Sequence, residues 1–138
     1  MNNRSSLPPN EPLHGYISQA GFIKPSERIS IFQEALRLRN TPPLYSQEGV
    51  TEKQVSVKFF DPCGSWTWYA VEWDGKDRCF GYVIGLASEW GDFSLHELAY
   101  DGGRMGVGIE VDEWFTPQPV PEIKLSKTPK SKGQELER

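Results

Sequence analysis

Polar and apolar positions change period several times along this chain of 138 residues. Ile29, Phe32 and Leu36 recur at helical spacing with Ala35 beside them, while Arg28, Arg37 and Arg39 fall elsewhere on the wheel. Pro25-Ser26 opens the run, and Asn40 with Pro42-Pro43 stops it, so the spacing predicts an amphipathic helix over residues 26–39. From Gln54 the period becomes two. Val55, Val57 and Phe59 alternate with Ser56 and Lys58, which predicts a half-buried strand ending at Asp61-Pro62. A second strand runs from Trp66 to Trp73, with Trp66, Trp68 and Ala70 on one face and Thr67, Tyr69, Val71 and Trp73 on the other. Asp74-Gly75-Lys76-Asp77 is a turn signal, and Cys79 to Leu86 is a third strand, so these two strands form an antiparallel hairpin. Ser94-Leu95-His96-Glu97 has the form of a capping box and starts a short helix to about Tyr100. After Asp101-Gly102-Gly103, Val107, Ile109 and Val111 alternate as a fourth strand.

The pattern predicts an α+β domain over residues 26–121. An antiparallel sheet of about four strands carries an N-terminal amphipathic helix and a short helix before the last strand. Residues 1–25, interrupted by Pro8, Pro9 and Pro12, read as a flexible extension. Residues 122–138, with Lys124, Lys127, Lys130 and Lys132, read as a disordered basic tail.

Charge changes the picture more than composition does. The net charge is only −4, yet residues 45–116 hold thirteen acidic and five basic side chains, and each flanking segment holds five basic and three acidic. The same middle segment holds 14 of the 17 aromatics. An acidic core argues against direct nucleic-acid binding, because phosphates call for concentrated Lys and Arg. The chain has no apolar run of the ~18–20 residues a membrane helix needs, nor an apolar leader at Met1 to Leu7, so the expectation is a cytoplasmic protein with no membrane contact. In the hairpin register, Cys79 falls near Glu72 and Cys63 near Ser88, roughly 30 Å apart at about 3.3 Å per residue. A disulfide needs Cα atoms within about 7 Å, so two free thiols are expected.

Five ordered motifs carry a family likeness: Leu44-Tyr45-Ser46-Gln47, Val57-Lys58-Phe59-Phe60, Trp66-Thr67-Trp68-Tyr69, Phe80-Gly81-Tyr82-Val83 and Phe93-Ser94-Leu95-His96-Glu97-Leu98. Over about residues 42–121 the chain resembles the domain of unknown function 2958 family, small proteins carried mainly by plasmids, phages and integrated elements of bacteria. It departs from the usual pattern at Asp61, at Cys79 and at Trp90-Gly91-Asp92. The resemblance implies no catalytic residues. It implies a mobile-element setting, in which small inhibitors of restriction or CRISPR enzymes are common.

Catalytic chemistry finds little support in the residues. A nucleophile mechanism needs Cys or Ser near an oriented His, and the chain offers only His14, in the Pro-rich extension, and His96, in the first turn of a short helix. Glu72, Asp74 and Asp77, or Glu110, Asp112 and Glu113, could hold a hard cation and make a metal-dependent hydrolase or nuclease. Neither set fits an EF-hand loop, and strand alternation points Glu113 away from Glu110 and Asp112, so a solvated acidic face is the stronger reading. The Gly-rich stretch Gly102 to Gly108 precedes a strand and lacks the Lys-Ser/Thr ending of a phosphate loop. It reads as a flexible connection. No cofactor, catalytic residue or metal ligand is assigned.

The aromatic run is the most informative feature. One helix layer cannot cover both faces of the Trp66 to Trp73 strand, so either both faces are packed or an aromatic surface is exposed. The functional expectation is a non-enzymatic protein-binding module that inhibits a host defence protein. Carboxylates of Glu72, Asp74, Asp77, Glu110 and Asp112 would pair with Arg and Lys of its nucleic-acid-binding surface, with Trp66, Trp68, Tyr69 and Trp73 as apolar anchors. A rival is a nucleic-acid-associated accessory protein tethered by the basic tail.

Overall fold

The computed structural model describes residues 7–13, 23–121 and 123. The first helix, α1, spans Pro25–Leu38. Proline at its start has no N–H to leave unpaired, and the Lys24 backbone N–H donates to the Glu27 carboxylate at 3.2 Å. Asn40, at φ 54°, turns the chain out of the helix in the left-handed region that Asn tolerates. Phe32, Ala35, Leu36 and Leu38 are buried, as the periodicity predicts. Arg28 and Arg39 are buried too, against the wheel reading. Arg28 donates to the carbonyl of Ile109 at 2.7 Å, and Arg39 donates to the carbonyls of Pro8 and Pro9 at 3.1 and 3.0 Å. Each guanidinium thus fastens a distant backbone segment to the helix, a use that local periodicity does not reveal.

The strand expected from Gln54 onward is two strands. β1 (Gln54–Val55) pairs with β7 (Gln118–Pro119), whereas β2 (Val57–Phe60) pairs with β3 (Thr67–Trp73). Ser56 sits at the break, where its hydroxyl lies 2.7 Å from that of Thr41. The main sheet has five antiparallel strands in the order β5-β4-β3-β2-β6, one more than expected, with β4 at Arg78–Ile84, β5 at Ser88–Ser94 and β6 at Glu110–Val111. The added strand is β5, whose exposed face offers no apolar alternation to read. The last strand is shorter than expected, because Gly106 and Gly108 take positive φ values of 79° and 98° that interrupt extended backbone. Leu86, expected in a strand, lies at the β4–β5 turn and is exposed.

Registry explains a second correction. A β-bulge between Ala70 and Glu72 shifts the β3–β4 pairing, so Cys79 faces Trp73, and Phe80 faces Glu72. The extra residue reverses the alternation beyond it. Trp73 therefore joins Trp68 and Ala70 in the main core, on the opposite side from Tyr69 and Val71.

That main core lies between the sheet and the two helices, α1 and α2 (Leu95–Tyr100), and is centred on Phe59, which meets Phe32 and Phe93 edge-on at 5.0 and 6.2 Å. Leu13, in a segment expected to be flexible, is buried there, and its N–H donates to the Glu113 carbonyl at 2.6 Å. On the other side, Phe115, Val120 and Ile123 cover Val55, Tyr69 and Val71. Both faces of β3 are thus packed, which decides between the two readings of the aromatic run. The remainder of the expected extension and the basic tail beyond Ile123, with Lys124, Lys127, Lys130 and Lys132, lie outside the described residues, as does His14.

Candidate functional site

The acidic surface expected at the hairpin is largely consumed by the fold. Glu72 is 3% exposed, and its two carboxylate oxygens each accept one backbone N–H, from Tyr45 and from Gln47, both at 2.7 Å. The carboxylate fixes the loop before β1 onto β3, and its expected role toward a partner is corrected by this burial. Asp74 accepts from the N–H groups of Lys76, Asp77 and Arg78 at 2.8, 2.8 and 3.1 Å, which builds the β3–β4 turn. The slight burial of Asp74 raises its pKa, but these three donors and the nearby Arg78 charge outweigh that, and the carboxyl titrates below its ordinary range. Asp77 accepts from the Ser94 hydroxyl at 2.7 Å and from the His96 N–H at 2.8 Å, tying that turn to the start of α2. Ser94 accepts from the Glu97 N–H at 3.2 Å, which is the N-cap half of the expected capping box.

Asp112 pairs with Lys58 at 3.6 Å and accepts from the Trp114 N–H at 3.0 Å, while Glu110 is half-buried on β6 at the far edge of the sheet. The five expected carboxylates therefore do not form one free surface. Of the expected aromatic anchors, Trp68, Tyr69 and Trp73 are buried, and Trp66 is 41% exposed, stacked on Trp68 at 5.8 Å. Burial, with Asp112 nearby, pushes the Tyr69 hydroxyl up to about 12.

Sequence reasoning left Asp61 without a role. Its oxygens accept from the Cys63 N–H at 2.9 Å and the Arg104 N–H at 2.7 Å, fastening the β2–β3 turn to the glycine-rich connection. The connection is thus tied down at Arg104, against the expectation of simple flexibility. Gly103, at φ 71°, passes so close that a Cβ would sit 2.9 Å from the carboxylate. An Asp followed by Pro, Cys and Gly after a strand is an Asx-turn signature, so this role had a signal. Asp61, Trp66, Asp101 and Arg104 line a cleft of about 410 Å³, but Asp61 spends both oxygens inside the fold.

A different arrangement lies on the β4–β5 half of the sheet, where Tyr82 meets the margin of the cluster that Phe115, Val120 and Ile123 form. Phe80, Tyr82 and Trp90 form one aromatic ridge: Phe80 stacks on Trp90 at 5.5 Å and 11°, and Tyr82 meets Trp90 edge-on at 5.4 Å. The Lys53 ammonium lies 5.7 Å from the Trp90 ring centroid. Beside the ridge, Tyr45, Glu48, Lys53, Phe80 and Asp92 line a cleft of about 260 Å³. Glu89 and Asp92 on β5 are exposed, and Asp92 pairs with Arg78 at 3.1 Å in a solvated contact. Such an exposed pair contributes little and can be exchanged for another cation. No motif marked Trp90 for this role, since it stands in a strand that lacks apolar alternation.

Chemistry of other kinds is not assembled. Among the described residues, no three His, Cys, Asp or Glu side chains lie close enough to hold a metal ion. Both cysteines are free thiols, as expected, although Cys63 lies in the β2–β3 turn and not opposite Ser88. Cys63 is exposed. Cys79 is buried, and desolvation with the nearby Asp74 and Asp77 charges raises its thiol pKa. His96 is exposed and stacks on Tyr100 at 5.6 Å. Among the described residues no helix is long and apolar enough to cross a membrane.

The family model for a protein of unknown function, DUF2958, matches residues 27–127. The chain belongs to that family. The match takes in α1 as well as the sheet, so it reaches further toward the N-terminus than the motifs alone indicate. Within this DUF2958 domain lie both clefts and the ridge. No curated protein and no solved structure matches the chain.

Proposed function

We propose that this DUF2958 protein is a non-enzymatic protein-binding module of a mobile genetic element. It inhibits a host defence system, of the restriction or CRISPR kind, by holding an acidic, aromatic face against the basic surface with which a defence protein meets nucleic acid. The observation that carries the reading is the Phe80-Tyr82-Trp90 ridge with the exposed Asp92 carboxylate on its face, Glu48 in the cleft beside it and Glu89 exposed on the same edge strand. An aromatic cluster with exchangeable surface carboxylates beside it supplies apolar anchoring and favours partners that bring cations to those carboxylates. The face differs from the one expected at the hairpin, because there the carboxylates are bound to backbone N–H groups.

The test is protection of an incoming phage or plasmid in a host that carries an active restriction or CRISPR system. Expression of the wild-type chain raises plating efficiency, and the variant Glu48→Lys, Glu89→Lys, Asp92→Lys loses that protection with an unchanged melting temperature. Undiminished protection by the stable variant, or none by the wild type, contradicts the reading.

A further inference from the structure

We propose that the outer edge of β5 takes up an extended, lysine- or arginine-bearing segment of the partner protein as a sixth strand. This rests on the reading of a module that binds a basic partner, and it names the mode of binding. β5 is seven residues long and ends the sheet, whereas the opposite edge, β6, is two residues long. Along an edge strand, alternate N–H and C=O groups point away from the sheet and pair with any strand laid beside them. Edges are usually guarded by charged side chains, above all Lys, by Pro or by a bulge, and the charges on β5 are carboxylates, which repel acidic strands and admit basic ones. Ser88-Glu89-Trp90-Gly91-Asp92-Phe93-Ser94 has no Pro or Lys, and its pairing with β4 runs without a register shift.

Charge and clearance decide the occupant. Glu89 and Asp92 lie three residues apart and so point to opposite faces of the sheet. An incoming strand meets one carboxylate on each face, which suits basic side chains at both. A second copy of this chain would bring two more carboxylates to the same edge, and like charges oppose that pairing. Gly91 supplies an independent argument. Its φ is not positive, and a Cβ built on it meets nothing within 4 Å, so neither backbone conformation nor internal packing demands glycine there. In contrast, its neighbour across the ladder, Gly81, has no such room: a Cβ would lie 1.8 Å from the Tyr69 carbonyl oxygen. Gly91 leaves the sheet face open beside the edge, so that a side chain of an added strand can lie across it. Trp90, the neighbouring residue and on the other face, is exposed and adds apolar surface beside the edge.

The probe is a seven-residue capped valine peptide carrying two lysines three residues apart, so that one falls on each face of an added strand, with a second version methylated at every backbone nitrogen. Fluorescence anisotropy is expected to show binding of the first, with methylation weakening it by about tenfold or more through loss of the strand hydrogen bonds. Gly91→Val weakens binding by a similar factor while the melting temperature stays level or rises, and bound peptide slows hydrogen exchange of the β5 amides. Equal binding of the two peptides overturns strand addition and leaves the acidic-face reading standing. Full binding by the stable Gly91→Val variant overturns it as well. A wild-type dimer that Gly91→Val dissociates would put a second copy on the edge, and binding that requires deletion of residues 124–138 would put the chain's own tail there. Either result contradicts the proposal. If the peptide behaves as expected and the plating assay shows no protection, the defence reading falls and strand addition survives.

Discussion

Asp61, Glu72 and Asp77 on one hand, and Glu48, Glu89 and Asp92 on the other, are the same chemical group in two different employments. The first three accept backbone N–H groups of segments distant in sequence, so each holds a turn or loop to the sheet. Glu89 and Asp92 stand in solvent on an edge strand, and Glu48 lines the cleft beside them. The difference shows that the acidity of the middle segment is not one surface. Backbone donors decide which carboxylates serve the fold and which are left in solvent.

The comparison breaks most directly at Glu72. Glu72→Ala leaves two N–H groups at the 45–47 loop without their acceptor, and a loss of about 3 kcal/mol in urea unfolding is expected, against within about 0.5 kcal/mol for Glu89→Ala. Similar costs for the two would erase the distinction. Asp61→Ala should lose about 2 kcal/mol, since it frees the Cys63 and Arg104 N–H groups in a less enclosed place.

At Asp74 the prediction is a pH dependence. Its folded-state pKa lies below the ordinary 3.8, so its contribution is complete above that value and is lost as the pH falls through the lower folded value. Asp74→Ala therefore flattens the acid limb of a stability–pH curve while leaving the slope near neutrality unchanged.

The two thiols sharpen the contrast between surface and core. A disulfide reagent at neutral pH should modify Cys63 on the order of 100-fold faster than Cys79, whose reaction awaits unfolding. Because burial raises the Cys79 pKa, its contribution to stability is present below the ordinary 9.0 and declines as the pH rises above it.

Much of the fold was legible because its signals are local. Helical spacing at Ile29, Phe32 and Leu36 located α1, and Ser94 with Glu97 located the start of α2. Strand periodicity located β2, β3 and β4. What escaped is non-local. The bulge that moves Trp73 to the other face depends on the pairing of two strands, and β5 is a strand by virtue of its ladder with β4 rather than its own pattern. Which of the acidic and aromatic side chains stay exposed escaped for the same reason. Glu72 looks like any hairpin carboxylate until the 45–47 loop folds over it, and Trp90 looks incidental until Phe80 and Tyr82 stand beside it.

The division of the carboxylates can be measured in one experiment: carbodiimide coupling to a small amine, with modified residues located by peptide mass spectrometry, with and without the lysine-valine peptide. The account predicts rapid labelling of Glu89 and Asp92, suppressed by the peptide, and no labelling of Glu72 or Asp61 until the chain unfolds. Labelling of Glu72 as fast as Glu89, or peptide protection that falls elsewhere, would contradict it.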